Sequence, residues 1–343
     1  MKKGSLLFSS GHGKRIYISS RIIYTCQRRD QASLIEVGLN SLLDIGRDSM
    51  KPGIVSKKEV KGNLTLERQM LGTHQVLKLR RDRCIGCDIC SQACPQQAAS
   101  LLSPVSKDGR LVKRRTADFD RQKCTFCGVC VVLCPSSAIE IETNGKKRIG
   151  VVESKVFPTL IREIGVDVSK CGIDCNCVCQ DSCPTQAIEV VLKGKEKPGS
   201  TRIEQVNVNR DLCVFCGKCE STCPKGAIKA TRPFSGSVKL DATACPENCR
   251  ICVDACPTKV ISKDVDGNLS VDERFCIYCS ACEAVCPEKI IDVTRTGILH
   301  TDITSGAWIT ALEKLTSRSQ VIKELSAKAG AKAREAGRNL GRF

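Results

Sequence analysis

The feature that most constrains this chain is a cysteine segment that occurs six times. Five copies are regular: CIGCDICSQACP from Cys84, CTFCGVCVVLCP from Cys124, CVFCGKCESTCP from Cys213, CPENCRICVDACP from Cys245 and CIYCSACEAVCP from Cys276. The sixth, CGIDCNCVCQDSCP from Cys171, carries five cysteines instead of four. These segments hold 25 of the 26 cysteines, leaving only Cys26 outside them. A repeat of this kind makes each unit a structural module that closes its core against its neighbours.

The flanks repeat as well. Before five of the six first cysteines an alternating apolar pattern ends in Asp or Asn four residues upstream: Asp120, Asp167, Asn209, Asp241 and Asp272, with Arg80 in the first unit. Alternation predicts a short half-buried strand. The Asp or Asn side chain is expected to accept from backbone N–H groups two or three residues on and so shape the loop. After each fourth cysteine come proline and then apolar residues, as in CPSSAIEI, CPTQAIEV, CPKGAIKA and CPEKIIDV. Each unit is therefore expected to run strand, ligand loop, short helix, strand. The pairs Asp108-Gly109, Asn144-Gly145, Ser235-Gly236 and Asp266-Gly267 suit hairpin connections between them.

The spacing carries the chemistry. Cysteines at i, i+3 and i+6 wrap one tight loop around a four-iron cube and supply three thiolates. The fourth, four residues later and followed by proline, serves the neighbouring cluster in two-cluster proteins. A zinc ribbon instead separates two CxxC pairs by a dozen or more residues. A disulfide scaffold needs an oxidising compartment. The N-terminus MKKGSLLFSSGHGKRIYISS has an apolar run of only Leu6, Leu7 and Phe8, which is not a secretory signal, and the expected location is the cytoplasm. No run of 18 apolar residues is present to span a membrane. The CxxxCxxC of Cys245, Cys249 and Cys252 also occurs in radical SAM enzymes, but here Cys256-Pro257 follows and the flanks match the other units.

Composition agrees with a cluster-filled interior. One tryptophan, three tyrosines and eight phenylalanines are few for 343 residues, although bulky aromatics bury the most area per residue. The formal charge of +17 invites nucleic-acid binding. Six oxidised clusters with four thiolates each would bring it to about +5, so the basic residues offset cluster charge, and no nucleic-acid partner is expected. Basic side chains nearby also ease reduction, because a cluster gains negative charge with each electron. The histidines His12, His74 and His300 lie outside the units, and no GxGxxG, P-loop or Cys/His dyad is present. The chain is expected to carry electrons without making bonds itself.

Six clusters on 24 cysteines follow, in one of two pairings. Consecutive units give Cys84, Cys87 and Cys90 with Cys134, and Cys124, Cys127 and Cys130 with Cys94. They then give Cys171, Cys175 and Cys179 with Cys223, and Cys213, Cys216 and Cys219 with Cys183. The last two are Cys245, Cys249 and Cys252 with Cys286, and Cys276, Cys279 and Cys282 with Cys256. A nested arrangement closes the fourth unit on the fifth and the third on the sixth. In the irregular unit the flanks fix Cys171, Cys179 and Cys183. Cys175 is favoured as second ligand by the CxxxC of the fifth unit, with Cys177 as the other candidate. Phe126, Phe215 and Tyr278, each just before a second ligand, are expected to shield the clusters from water. Gly86, Gly128 and Gly217 would let backbone N–H groups approach sulfur.

Residues 1–75 hold no cluster motif and form an N-terminal extension suited to packing on a partner; SLIEVGLNSLLDIGRDS within it suits a short amphipathic helix. Residues 76–142, 143–230 and 231–300 are three two-cluster domains, and 301–343 a basic helical tail. Trp308, Leu312, Leu315, Val321, Ile322 and Leu325 make an apolar face that could grip another subunit.

Over residues 76–295 the CxxCxxCxxxCP units resemble the polyferredoxins, fusions of bacterial-type two-cluster ferredoxins. The linker VFPTLIREIGVDVSKCGIDC, CPENCRICVDACP and SGAWITALEKLTS are similar to the polyferredoxin component of formylmethanofuran dehydrogenase, found in methanogenic archaea and their relatives. Some relatives carry more cassettes. The resemblance implies an α+β fold of tandem ferredoxin-like domains, with short hairpins and helices around [4Fe-4S] clusters. It also implies electrons arriving from a ferredoxin, hydrogenase or heterodisulfide reductase and passing to a tungsten- or molybdenum-pterin subunit that reduces carbon dioxide, or the reverse. Polyferredoxins of hydrogenase or heterodisulfide reductase complexes are the other family reading.

Overall fold

The computed structural model describes residues 53–193, 202–303 and 305–316. Cys26, the helix expected near residues 33–49 and the tail beyond residue 316 lie outside the described residues.

Each unit follows the strand, loop, short helix, strand order. Its helix is one turn or slightly more: Ile89–Ala93, Val129–Leu133, Val178–Asp181, Lys218–Thr222, Ile251–Ala255 and Ala281–Val285. A helix this short cannot sustain itself and is held by packing. In four units the residue just after the second cysteine is left-handed and opens the helix: Asp88 (φ 63°), Gly128 (φ 90°), Gly217 (φ 80°) and Ser280 (φ 63°). In the regular units the fourth cysteine ends the helix in extended backbone, and the proline after it prevents continuation.

Strand pairing joins consecutive units two by two. In the first pair Thr73–Leu79 lies beside Ile139–Thr143, and Ala99–Leu102 beside Thr116–Phe119. The second pair repeats this with Ile164–Val166 on Ile228–Ala230 and Ile188–Lys193 on Arg202–Val208. The third uses Phe234–Leu240 on Ile291–Ile298 and Ile261–Lys263 on Leu269–Val271. All six pairings are antiparallel. The incoming strand of one unit always meets the outgoing strand of its partner, so pairing is sequential and not nested. The fold is α+β.

Three of the four glycine pairs form turns as expected: Asp108-Gly109, Asn144-Gly145 and Asp266-Gly267 each follow a strand and precede its partner or return. Ser235-Gly236 does not. It lies within the strand Phe234–Leu240 at a register shift opposite Ile291–Ile298. A Cβ on Gly236 would come within 2.2 Å of the Thr294 carbonyl oxygen and 3.0 Å of the Tyr278 ring. The glycine permits a close backbone approach at a bulge, which is its usual strand use.

The first pair's sheet begins upstream of residue 76. Ile54–Val60 and Asn63–Met70 form a hairpin that continues the sheet onto Thr73–Leu79. Leu64 and Leu66 are fully buried with Leu77, Leu79, Phe119 and Ile139. This segment therefore completes the chain's own core. Separate cores lie in the second pair, around Ile164, Ile188 and Ile228, and in the third, around Val260, Ile261 and Ile291.

A fourth core joins all three pairs. It gathers Ile85, Ile89, Leu133, Phe157, Val214, Phe234, Ile277 and Ile298 with the helix Gly306–Thr316, whose Trp308, Ala311 and Leu315 are buried in it. Trp308 meets Phe157 edge-on at 5.0 Å and donates its indole N–H to His300 Nε2 at 3.3 Å. The face carrying Trp308 and Leu315, expected to grip another subunit, is covered by this chain. With few large aromatics available, the seam between pairs is the place where burying them removes the most surface from water.

Candidate iron–sulfur sites

The loop entering each unit is built as its sequence suggests. The side-chain oxygen of Asp120, Asp167, Asn209, Asp241 and Asp272 accepts from the backbone N–H two residues on, at 2.8–3.2 Å. Phe126, Phe215 and Tyr278 are buried and left-handed, with φ of 57°, 55° and 46°. That unusual backbone turns N–H groups toward sulfur: Phe215 and Tyr278 each donate to the first cysteine of their unit at 3.4 Å. Gly86 does the same for Cys84. Gly128 and Gly217 supply the left-handed residue that opens the helix, and the N–H just after Gly217, on Lys218, donates to Cys216.

None of the 25 described cysteines is in a disulfide. They gather in six groups, and in each the fourth member comes from the partner unit. Cys84, Cys87, Cys90 and Cys134 line one small apolar-walled cavity. Cys276, Cys279, Cys282 and Cys256 line another. Cys171, Cys175, Cys177, Cys179 and Cys223 line a third. Elsewhere the electrostatic neighbours give the grouping: Cys130 has Cys127, Cys124 and Cys94; Cys219 has Cys216, Cys213 and Cys183; Cys252 has Cys249, Cys286 and Cys245. The pairing is the sequential one.

Burial, and then the neighbouring thiols, push these groups away from ionisation. Cys252 and Cys276 are raised to about 11, Cys219 and Cys282 to about 12, and Cys87, Cys90, Cys130 and Cys279 are raised strongly as well. Four thiolates in a dry cavity are unfavourable unless a cationic core stands between them. Among the described residues no three His, Cys, Asp or Glu side chains converge closely enough for a single metal ion. Soft donors, four or five to a group and drawn from two units, suit an iron–sulfur core, and the residues present fit one.

Further donors meet the crossover sulfurs. The backbone N–H four residues after the fourth cysteine reaches its Sγ in five units: Ala98, Ala138, Ala187, Ala227 and Val260, at 3.2–3.5 Å. Ser136, Thr185 and Thr258 bring hydroxyls to 3.7, 3.7 and 3.5 Å from Cys134, Cys183 and Cys256. The signal for these hydroxyls was a Ser or Thr two residues after the fourth cysteine. All three of these crossover cysteines belong to the first, fourth and sixth groups.

In the irregular unit, Cys177 is left-handed (φ 55°) and opens the helix Val178–Asp181, the place of Asp88 or Gly128 elsewhere. The residue before it, where the regular second cysteine would stand, is Asn176. Cys175 precedes Cys177 among the charges acting on Cys179, and also among those acting on Cys171. The neighbours of Cys177 itself are Cys175 and Asp181.

Basic residues that spacing did not single out stand against these groups. Arg68, from the upstream hairpin, lies 4.8 Å from the Phe126 ring centroid and donates to the Thr125 carbonyl at 3.0 Å. Lys263 is buried, with Nζ 3.5 Å from Cys245 Sγ, and donates to the carbonyls of Pro246 and Cys249. Arg162 donates to the Cys134 carbonyl at 2.8 Å and sits over Phe215. Arg295 is buried between pairs.

The six groups are not in a row. Cys87, Cys216 and Cys279, second cysteines of the first, fourth and sixth groups, share the central core, with Cys127 packed against it. Cys87 also has Cys279 as an electrostatic neighbour. The first, fourth and sixth groups, one from each pair, are thus the inner groups that bury a cysteine in this core, while the second only packs against it.

A fold of paired units that gathers cysteines from two units into each of six groups defines an iron–sulfur protein. Comparison with known proteins agrees. Residues 83–138 and 244–291 match models of the 4Fe-4S dicluster domain, and residues 171–233 the LdpA Fe-S cluster-binding domain. The chain is 34% identical over 112 residues to an iron-sulfur protein of Rhodospirillum rubrum, an alignment covering 28% of this chain and 58% of that protein. It is 32% identical over 113 residues to the polyferredoxin-like subunit of an aliphatic sulfonate oxidoreductase of Pyrococcus furiosus, covering 29% of this chain and 64% of that one. The chain therefore spans less than two thirds of the length of these relatives. A chain in the solved formate dehydrogenase–heterodisulfide reductase–formylmethanofuran dehydrogenase complex of Methanospirillum hungatei superposes with a TM-score of 0.67 at 29% identity, covering 77% of this chain and 92% of that chain. The protein belongs to the polyferredoxins, with tandem 4Fe-4S dicluster domains, and is related to subunits of oxidoreductase complexes. Among the described residues no helix is long and apolar enough to cross a membrane.

Proposed function

We propose that this chain holds six [4Fe-4S] clusters on the 24 cysteines of its six groups, with Cys175 as the second ligand of the irregular unit. It relays low-potential electrons to the tungsten- or molybdenum-pterin subunits of a formylmethanofuran dehydrogenase complex, or back from them. The observation that carries the partner is the likeness to a chain of the Methanospirillum complex, whose solved assembly contains that enzyme. Heterodisulfide reductase in the same assembly is the second reading, and a ferredoxin or hydrogenase is the donor class in either case. The organisation into three domains at residues 76–142, 143–230 and 231–300 and a cytoplasmic location belong to this proposal.

Each cluster supplies a site that takes up and gives back one electron. The polypeptide does the rest. Its cysteines hold the iron, and Phe126, Phe215 and Tyr278 close the loops against water. The shared core around Cys87, Cys216 and Cys279 keeps the inner groups of the three pairs together. The chain makes no bond of its own.

Anoxic purification from the native organism, with iron and acid-labile sulfide analysis and identification of co-purifying chains, tests both parts. About 24 irons per chain are expected if six four-iron clusters are present. Pterin-enzyme subunits should accompany the chain. Recovery with heterodisulfide reductase chains alone would select the second reading, and an iron content fitting four clusters or fewer would overturn the assignment of six.

A further inference from the structure

Arg295 lies on the strand Ile291–Ile298, beside the register shift that leaves Gly236 opposite it and Ser235 opposite Gly297. A bulge re-aims nearby side chains. Here Arg295 is only 6% exposed and buried at the seam between the first and third pairs of units. Its Nε donates to the Leu315 carbonyl at 3.0 Å, and its Nη1 to the Tyr278 carbonyl at 3.0 Å and Ser280 Oγ at 3.4 Å. Its Nη2 donates to Gln92 Oε1 at 2.8 Å. Every one of these partners is neutral. Tyr278 and Ser280 flank Cys279, while Gln92 lies two residues after Cys90. The guanidinium thus stands between the first and sixth groups, fastened to both and to the C-terminal helix.

A buried cation without a hydrogen-bonded carboxylate is costly, so its countercharge has to lie elsewhere. The acidic groups nearest to Arg295 in electrostatic effect are Cys87 and Cys279, ahead of Glu283 and Asp88, so cluster-bound thiolates at those two positions would supply the countercharge. Arg162 occupies the corresponding place at the other seam. It bonds to the Cys134 carbonyl, lies over Phe215, and has Cys134 and Cys213 as its leading electrostatic neighbours. One arginine therefore joins the first group to the sixth, and the other joins the first to the fourth.

Resting on the six-cluster assignment, we propose that Arg295 is a positioning residue for electron exchange between the first and sixth groups. Its single charge would raise the reduction potential of both clusters together and keep the two matched, so that exchange of one electron between them would need no proton moved and no bond made. Arg162 does the same for the first and fourth groups. Without these charges, burial makes added negative charge harder for these groups to accept.

The test is an EPR-monitored redox titration of the full chain, with iron and sulfide measured first and spins integrated per chain. In Arg295→Met, two of the six electron equivalents should become at least about tenfold harder to fill, a shift of about 60 mV to more negative potential for a one-electron site. Arg162→Met should also move two. The double variant should move three, because the first group is common to both. Arg295→Lys should retain most of the potential. If Arg295→Met fails to keep its iron, Gln92→Glu keeps the arginine and neutralises its charge with a carboxylate at the same contact, and should move the same two equivalents. An unchanged titration with full iron content, or equal shifts for Lys and Met at position 295, overturns the proposal while leaving the six clusters in place. A wild-type iron content too low for six clusters is failure of the assignment beneath it.

Discussion

Lys263 offers the sharpest single test of how the protein sets the character of one site. The residue is 7% exposed, and its three ammonium donors are all engaged, by the carbonyls of Pro246 (2.6 Å) and Cys249 (3.3 Å) and by Cys245 Sγ (3.5 Å). Lys263→Met keeps the aliphatic stem and removes the charge. At 3.5 Å and an effective dielectric of about 20, one unit charge on that sulfur interacts with the ammonium by about 5 kcal/mol. The electron added on reduction spreads over the whole cluster, which brings the differential to about 2 kcal/mol, or about 80 mV for a one-electron site. One electron equivalent should therefore titrate about 80 mV more negative, with the others unmoved. The two carbonyls lose a partner, so local stability should also fall by about 1–3 kcal/mol. Lys263→Arg, which retains charge, should recover most of the potential. A titration of Lys263→Met superimposable on wild type, with iron intact, would refute the electrostatic argument.

Three further outcomes follow from the packing and the irregular unit. Cys175→Ser should lose one cluster, about four irons per chain, whereas Cys177→Ser should keep the wild-type iron content, as read by iron analysis and EPR; the reverse pattern would make Cys177 the ligand. Trp308→Ala removes a side chain 1% exposed against Phe157 and His300, and should destabilise the chain by about 3–5 kcal/mol in anoxic denaturant unfolding. An unchanged unfolding midpoint would mean that the helix Gly306–Thr316 does not close the central core in solution. Gly236→Ala puts a methyl against the Thr294 carbonyl and the Tyr278 ring, and should cost about 1–3 kcal/mol by the same assay.

Much of the local architecture was legible because it is short-range. A strand ending in Asp or Asn, a tight loop, a one-turn helix and a Cys-Pro stop all lie within about a dozen residues, where periodicity and turn chemistry act directly. Asp167, Asn209 and Asp272 cap their loops as expected. The same short-range logic misassigned Ser235-Gly236, since glycine serves turns and bulges alike and only the strand opposite distinguishes them. The segment before residue 76 looked separate because it lacks cysteines. Its alternation of Leu64 and Leu66, both fully buried, needed the sheet they face to give it meaning.

The sequence by itself determined the unit, its donor atoms and the iron–sulfur chemistry, because three of the four thiols at each site come from one loop whose geometry is set by spacing. Tertiary structure alone decided that consecutive units pair, that one group from each pair turns inward, and which cations stand beside them. Arg295 meets Gln92 across 203 positions of chain. Whether such a side chain is a solvated surface charge or a buried countercharge depends on the desolvation imposed by elements packed around it, and no local pattern of residues encodes that.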